Sequence, residues 1–209
     1  MRWFVALTIA TLLQFGGLAQ ADDSAGNSPG IGHGLSLFGE LKYPPGFKHF
    51  EYADPKAPKG GAISFATVGS FDNLNPFILK GVSVTAAGLP FDSLLATSFD
   101  EPDSAYGLIA QSVELAEDRS WVRFVLNPKA RWHDGTAITA DDVVFTFETL
   151  MVKGHPSFRI LYGDVSGVEK SAPGEVIFKL SNRENRKLPL LIGELQIISK
   201  AYYTENEFN

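Results

Sequence analysis

A mixed α/β fold is what this sequence predicts, and three observations in its second half predict it. The run WVRFVL, Trp121–Leu126, sets Val122, Phe124 and Leu126 against Trp121, Arg123 and Val125, the period-two pattern of a partly buried strand. Residues 165–169 and 176–180 are two further strand-like runs, joined by Ala172-Pro173-Gly174-Glu175, a good hairpin turn. Between these elements Thr139 stands where a helix N-cap belongs, with Asp141 and Asp142 in the first turn, where the macrodipole favours negative charge. Val143, Phe147 and Leu150 follow at i, i+4 and i+7, with Val144 and Met151 beside them, so the helix carries one apolar stripe.

Taken from the start of the chain, Arg2, an apolar run over residues 3–18 and Ala19-Gln20-Ala21 have the order of a cleaved signal peptide. A membrane span is disfavoured, because Thr8, Thr11, Gln14, Gly16 and Gly17 interrupt a run already short of the ~20 apolar residues a bilayer needs. No cysteine follows the cleavage site, so no lipid anchor is expected there. Residues 22–32, rich in Ser, Gly, Asn and Pro, read as a loosely held arm. Residues 34–61 contain Pro44-Pro45, Pro55 and Pro58, which forbid one long helix and predict an irregular arm over a surface. Residues 63–68 form an apolar strand framed by Gly60-Gly61 and Gly69. Residues 83–95 suggest a helix broken or begun near Pro90, and residues 100–107 a turn-rich loop. Residues 108–115 lead into the Trp121 strand, which Asn127-Pro128 ends because proline removes a ladder donor. A second short strand and the turn His133-Asp134-Gly135 then precede the capped helix. Residues 188–192 make a helix fragment or a strand, and residues 194–203 lead toward the end.

Composition excludes several kinds of chemistry. The chain has no cysteine, which removes disulfides, thiol nucleophiles and thiolate metal sites, so stability must come from a core. With 44% hydrophobic residues and 16 Phe it has the apolar surface for one. The net charge of -6 and the lack of any basic run argue against nucleic acid as a partner. His33, His49, His133 and His155 show no ligand-type spacing, and no nucleophile or phosphate-loop motif occurs, so neither a metal, a cofactor nor an enzymatic centre is expected. His133-Asp134 reads as turn chemistry rather than an acid–base pair, Asp141-Asp142 as a helix cap, and Asp100-Glu101-Pro102-Asp103 as a solvated loop. Trp121 and Trp132 read as packing rather than a sugar platform. The loop over residues 67–77 differs from these. It leaves an apolar strand through a glycine, so its backbone N–H and C=O groups can meet a ligand, while Asn75 and Pro76 serve its structure.

The stretch RWHDGTAITADDVVFTFE resembles the signature of the extracellular solute-binding proteins, family 5, the peptide-, opine- and nickel-binding receptors of bacterial ABC importers. GGAISFATVGSFDNLNPF resembles the first strand of that fold and the loop after it. HGLSLFGELKYPPGFKHFEYADPKAPKGG is similar to a leader of the microcin C and oligopeptide-binding branch. The resemblance implies a type II periplasmic-binding-protein-like fold, with the first lobe and its inserted subdomain present and the second lobe absent. It divides the chain into a signal peptide (1–21), an irregular arm (22–58), a first segment of lobe one (59–80) and the inserted subdomain (81–209), with the sequence ending as an N-terminal fragment. It also implies a monomeric, non-enzymatic periplasmic receptor of a Gram-negative cell. Such a receptor would capture oligopeptides or peptide-like conjugates and deliver them to the inner-membrane permease subunits of an ABC importer. By the same resemblance Val68, Gly69, Ser70 and Phe71 would offer main-chain hydrogen bonds to the ligand. A family-5 receptor for nickel, haem or a disaccharide is the alternative within the family, and a secreted hydrolase the alternative from another class.

Overall fold

Six residues from Trp121 onward lie near the middle of a five-stranded antiparallel sheet, and the rest of the fold is arranged around them. The computed structural model describes residues 30–208; the signal peptide, and most of the arm expected before Gly30, lie outside the described residues. In chain order the elements are β1 (Ile31–Gly32), β2 (Gly34–Ser36), β3 (Leu95–Thr97), β4 (Ser104–Gly107), β5 (Ala110–Leu115), β6 (Trp121–Leu126), α1 (Ala140–Lys153), α2 (Pro156–Leu161), β7 (Val165–Ala172), β8 (Glu175–Leu180), α3 (Leu188–Gly193) and α4 (Lys200–Glu205). The larger sheet has the order β1-β5-β6-β8-β7 and the smaller the order β2-β4-β3.

β6 buries Val122, Phe124 and Leu126 on one face, as its alternation predicts. That face meets the stripe of α1. Phe178 of β8 is fully buried and lies edge-on to Phe124 at 5.9 Å and to Phe147 of α1 at 5.5 Å. On the opposite face Arg123 holds Glu114 and Glu175 from the two neighbouring strands, a cross-strand charge row on the wetter side. The β7–β8 hairpin turns through Pro173 and Gly174, whose φ of 78° is the left-handed value that glycine tolerates.

α1 starts with a complete capping box. Thr139 Oγ1 accepts from the Asp142 N–H, and the Asp142 carboxylate accepts from the Thr139 N–H at 2.8 Å. Asp142 is buried, and its other oxygen accepts the Lys200 N–H at 2.9 Å, the start of α4. One turn further on, the buried Thr146 hydroxyl donates to the Asp142 carbonyl at 2.7 Å and accepts from the Ile198 N–H at 3.0 Å. The inner face of α1 is therefore tied to residues 198–200 by polar groups as well as by packing. The sequence hints at this only through a threonine inside an apolar stripe.

Several expectations give way. Ile31–Gly32 and Gly34–Ser36, read as parts of an arm, pair with β5 and β4, because both strands offer a free edge there. Residues 104–107, read as loop, become β4 between β2 and β3. Residues 83–95 are not a helix: residues 85–90 form consecutive turns closed by i to i+3 bonds, Ser83 and Ser93 sit in single bridges, Leu95 opens β3, and Gln196 donates to the carbonyls of Gly88 and Phe91 at 3.0 and 3.1 Å. The short strand expected before α1 shrinks to one bridge, Arg131 with Ala137. Residues 63–68 are not a strand. A strand needs a neighbour to satisfy its backbone, and no hydrogen bond joins residues 62–71 to any other described residue.

Candidate functional site

The loop over residues 67–77 has an anchored half and a free half. In the anchored half, Asn73 Oδ1 accepts from the Asn75 N–H at 2.8 Å and Asn75 Oδ1 accepts from the Phe77 N–H at 2.9 Å. Asn75 Nδ2 donates to the Phe208 carbonyl at 2.6 Å, joining the loop to the far end of the described chain. Phe77 is buried edge-on to Phe91 at 4.9 Å, and its carbonyl accepts from the His155 N–H at 2.7 Å. Asn75 thus does the structural work expected of it, and it fixes where the rest of the loop emerges.

The free half carries the four predicted contact residues. Val68 and Phe71 are 104% and 58% exposed, Gly69 and Ser70 are exposed, and Gly69 takes a φ of 116°. Ile63 and Phe65, just before them, are 77% and 84% exposed. The loop therefore presents a row of unpaired N–H and C=O groups flanked by uncovered apolar side chains. Such a row is chemically fit to pair with another extended chain, because pairing satisfies both at once.

The other polar groups singled out from the sequence have structural duties. Asp134 Oδ1 accepts from the Thr136 hydroxyl at 2.7 Å and from its N–H at 2.8 Å, closing the turn around Gly135. Those bonds, the hydroxyl's first, hold the Asp134 carboxyl below the usual carboxylate range. Asp141 pairs with Lys170 on the surface at 2.6 Å. Trp132 packs against the core, and Trp121 sits half-buried on the outer face of the sheet. A Ser–His contact exists, His155 Nδ1 to Ser157 Oγ at 2.7 Å, but the same nitrogen accepts the Ser157 N–H as the cap of α2. Among the described residues no three His, Asp or Glu side chains gather as a metal set.

The acidic run at Asp100 differs from the solvated loop expected. Asp100 accepts from Lys42 Nζ at 2.7 Å, the Tyr43 hydroxyl and Ser98 Oγ, and Glu101 accepts from the Lys42 N–H and the Tyr106 hydroxyl. Lys42, then Tyr43 and Ser98, hold the Asp100 carboxyl far below its ordinary range. These bonds, with Tyr43, Phe47 and Phe50 packed edge-on around Tyr106, fasten the proline-rich arm to the smaller sheet. The proline spacing foretold an arm but not its socket, because the two halves lie about sixty residues apart.

Sequence reading also missed a cleft of about 200 Å³ beside Pro76, lined by Phe77, Phe158, Tyr162, Glu194 and Gln196. Its walls come from three distant segments, so no local pattern announces it.

Comparison with known proteins places this arrangement. The structure aligns with NikZ of Campylobacter jejuni in complex with Ni(L-His), at a TM-score of 0.54 and 23% identity over 68% of this chain and 28% of that one. It aligns with the oligopeptide-binding protein AppA of Bacillus subtilis in complex with a nonapeptide, at a TM-score of 0.52 and 23% identity over 68% of this chain and 29% of that one. The chain therefore has part of the type II periplasmic-binding-protein fold. Residues 104–209, just over half of the chain, match the bacterial extracellular solute-binding proteins, family 5. The chain belongs to that family, whose members are solute-binding receptors. Among curated relatives it is 44% identical over 168 residues to the peptidoglycan-binding protein YepA of Agrobacterium fabrum, covering 77% of this chain. It spans 27% of YepA's length and a similar share of the other curated relatives it matches.

Proposed function

We propose that this chain is the N-terminal portion of an exported, monomeric solute-binding component of an ABC importer, and that it captures oligopeptides or peptide-like conjugates, including those of the microcin C type. One observation carries the proposal: residues 62–71 hold out unpaired main chain on a loop that Asn73, Asn75 and Phe77 fix in place. A ligand with its own peptide backbone is the chemistry that complements such a row, and main-chain pairing tolerates varied side chains. The name of YepA, a peptidoglycan-binding protein, and the nonapeptide in AppA support a ligand of this class. Residues 1–21 direct export to the periplasm and are removed. No chemistry is performed on the ligand. A second lobe, supplied by polypeptide outside the 209 residues, closes over it, and the closed form is what the permease subunits in the inner membrane recognise.

The test uses the chain continued by the YepA sequence beyond the matched stretch. A thermal-shift panel of peptides, peptidoglycan fragments, disaccharides, haem and nickel should show stabilisation by the peptide-containing members; stabilisation by nickel, haem or a sugar alone would replace the proposal with the other family-5 reading. On the same protein, Ser70→Pro removes one backbone donor and should weaken peptide binding by about tenfold, the loss of roughly one hydrogen bond. Ser70→Ala keeps the donor and should bind as the parent does. Equal affinity for all three forms would place the contact elsewhere.

A further inference from the structure

The cleft beside Pro76 has a chemistry of its own, independent of the peptide reading. Phe158 lies parallel to Tyr162 with centroids 6.3 Å apart, and Phe77 stands 6.4 Å from Phe158; Phe77 and Tyr162 are buried, and Phe158 is the partly exposed ring of the three. The same cleft is lined by two acceptors with capacity to spare. Glu194 uses Oε1 to accept from Thr97 Oγ1 at 3.1 Å, and Oε2 has no hydrogen-bond partner among the described residues. Gln196 donates its amide N–H groups to the Gly88 and Phe91 carbonyls, an arrangement that fixes the amide orientation because both partners are acceptors. Its Oε1 is left without a donor among the described residues, and it is not sealed off from solvent. The Tyr162 hydroxyl gives its proton to the Leu191 carbonyl at 3.2 Å, so it does not serve the carboxylate. Burial, and then the charge of Glu194, push that hydroxyl's pKa upward, a sign that the field of Glu194 reaches Tyr162. Lys187, whose ammonium also feels Glu194, is engaged by Asp103 at 2.9 Å.

From this arrangement we infer that the cleft is a binding site for a primary ammonium group on a short alkyl stem, the chemistry of a lysine side chain or a simple alkylamine. The stem lies against Phe77 and Phe158, and the ammonium meets Glu194 Oε2 and Gln196 Oε1. Aromatic faces attract a cation through their quadrupole, and a carboxylate adds the attraction of opposite charge. A neutral alcohol of the same length finds the rings but neither the charge nor the full set of acceptors.

The test is a ¹H–¹⁵N NMR titration of the 209-residue chain with n-butylammonium chloride, with n-butanol and sodium chloride as controls. n-Butylammonium should give saturable shifts confined to the neighbourhoods of Phe77, Phe158, Glu194 and Gln196, and neither control should. Glu194→Gln keeps the acceptor for Thr97 and should weaken binding by about tenfold or more, the loss of one charge-assisted hydrogen bond. Phe158→Leu, which leaves the carboxylate in place, should weaken it by a smaller factor. Equal response to n-butanol, scattered shifts that never saturate, or undiminished binding by Glu194→Gln would each overturn the assignment. A result of either kind leaves the peptide reading untouched, since that reading concerns residues 62–71.

Discussion

Replacing Phe178 with alanine should lower the unfolding free energy by about 3–5 kcal/mol, the range for a fully buried aromatic truncated to alanine. Phe178 sits where β8, β6 and α1 meet, edge-on to both Phe124 and Phe147. The neighbouring residues cannot collapse into the hole, because β6 is pinned on both sides by β5 and β8. The lost contacts and the residual cavity therefore add. Against a total stability of roughly 5–15 kcal/mol for an ordinary domain, such a loss approaches unfolding. Phe178→Leu should cost roughly 1–2 kcal/mol, since it keeps most of the volume. Urea denaturation followed by far-UV circular dichroism measures both. A change below about 1 kcal/mol for the alanine variant would mean that the helix is not packed on this sheet.

Asp142→Ala should cost about 2–4 kcal/mol, although the residue lies only at the start of a helix. Three donors lose their acceptor together: the Thr139 N–H, the Thr139 hydroxyl and the Lys200 N–H. A lost cap alone is worth about 1 kcal/mol, and each buried donor left unmet adds ~1–3 kcal/mol. Thr139→Ala removes only the cap and should cost about 1 kcal/mol, with ligand affinity unchanged. The ordering is the informative part, because α1 and the residue 198–200 segment share Asp142 while Thr139 serves α1 alone. Equal losses for the two variants, in the same urea experiment, would show that the bond to Lys200 contributes nothing.

What the sequence made legible follows the same division between local and shared features. β6, the β7–β8 hairpin and α1 are each announced within a dozen residues by alternation, a Pro-Gly turn or a cap, and each forms where expected. β1, β2 and β4 are different. Ile31–Gly32 becomes a strand only because Val113 and Glu114, some eighty residues on, offer an edge. Ser104–Gly107 shows no alternation and is extended because strands flank it on both sides. Residues 63–68 show the converse, a strand-like run without a partner among the described residues. The candidate loop could be found because a glycine and an Asn-Pro pair punctuate it. The Asp100 socket and the Glu194 cleft could not, since each joins side chains from segments with no common pattern.

On the proposed reading, residues 62–71 form one side of a cleft that the 209 residues do not complete alone. Isothermal calorimetry with a nonapeptide tests it directly. The 209-residue chain should give no saturable heat, and the chain continued by the YepA sequence should give a clear saturation curve. Micromolar binding by the 209 residues alone, or none by the continued chain, would contradict it.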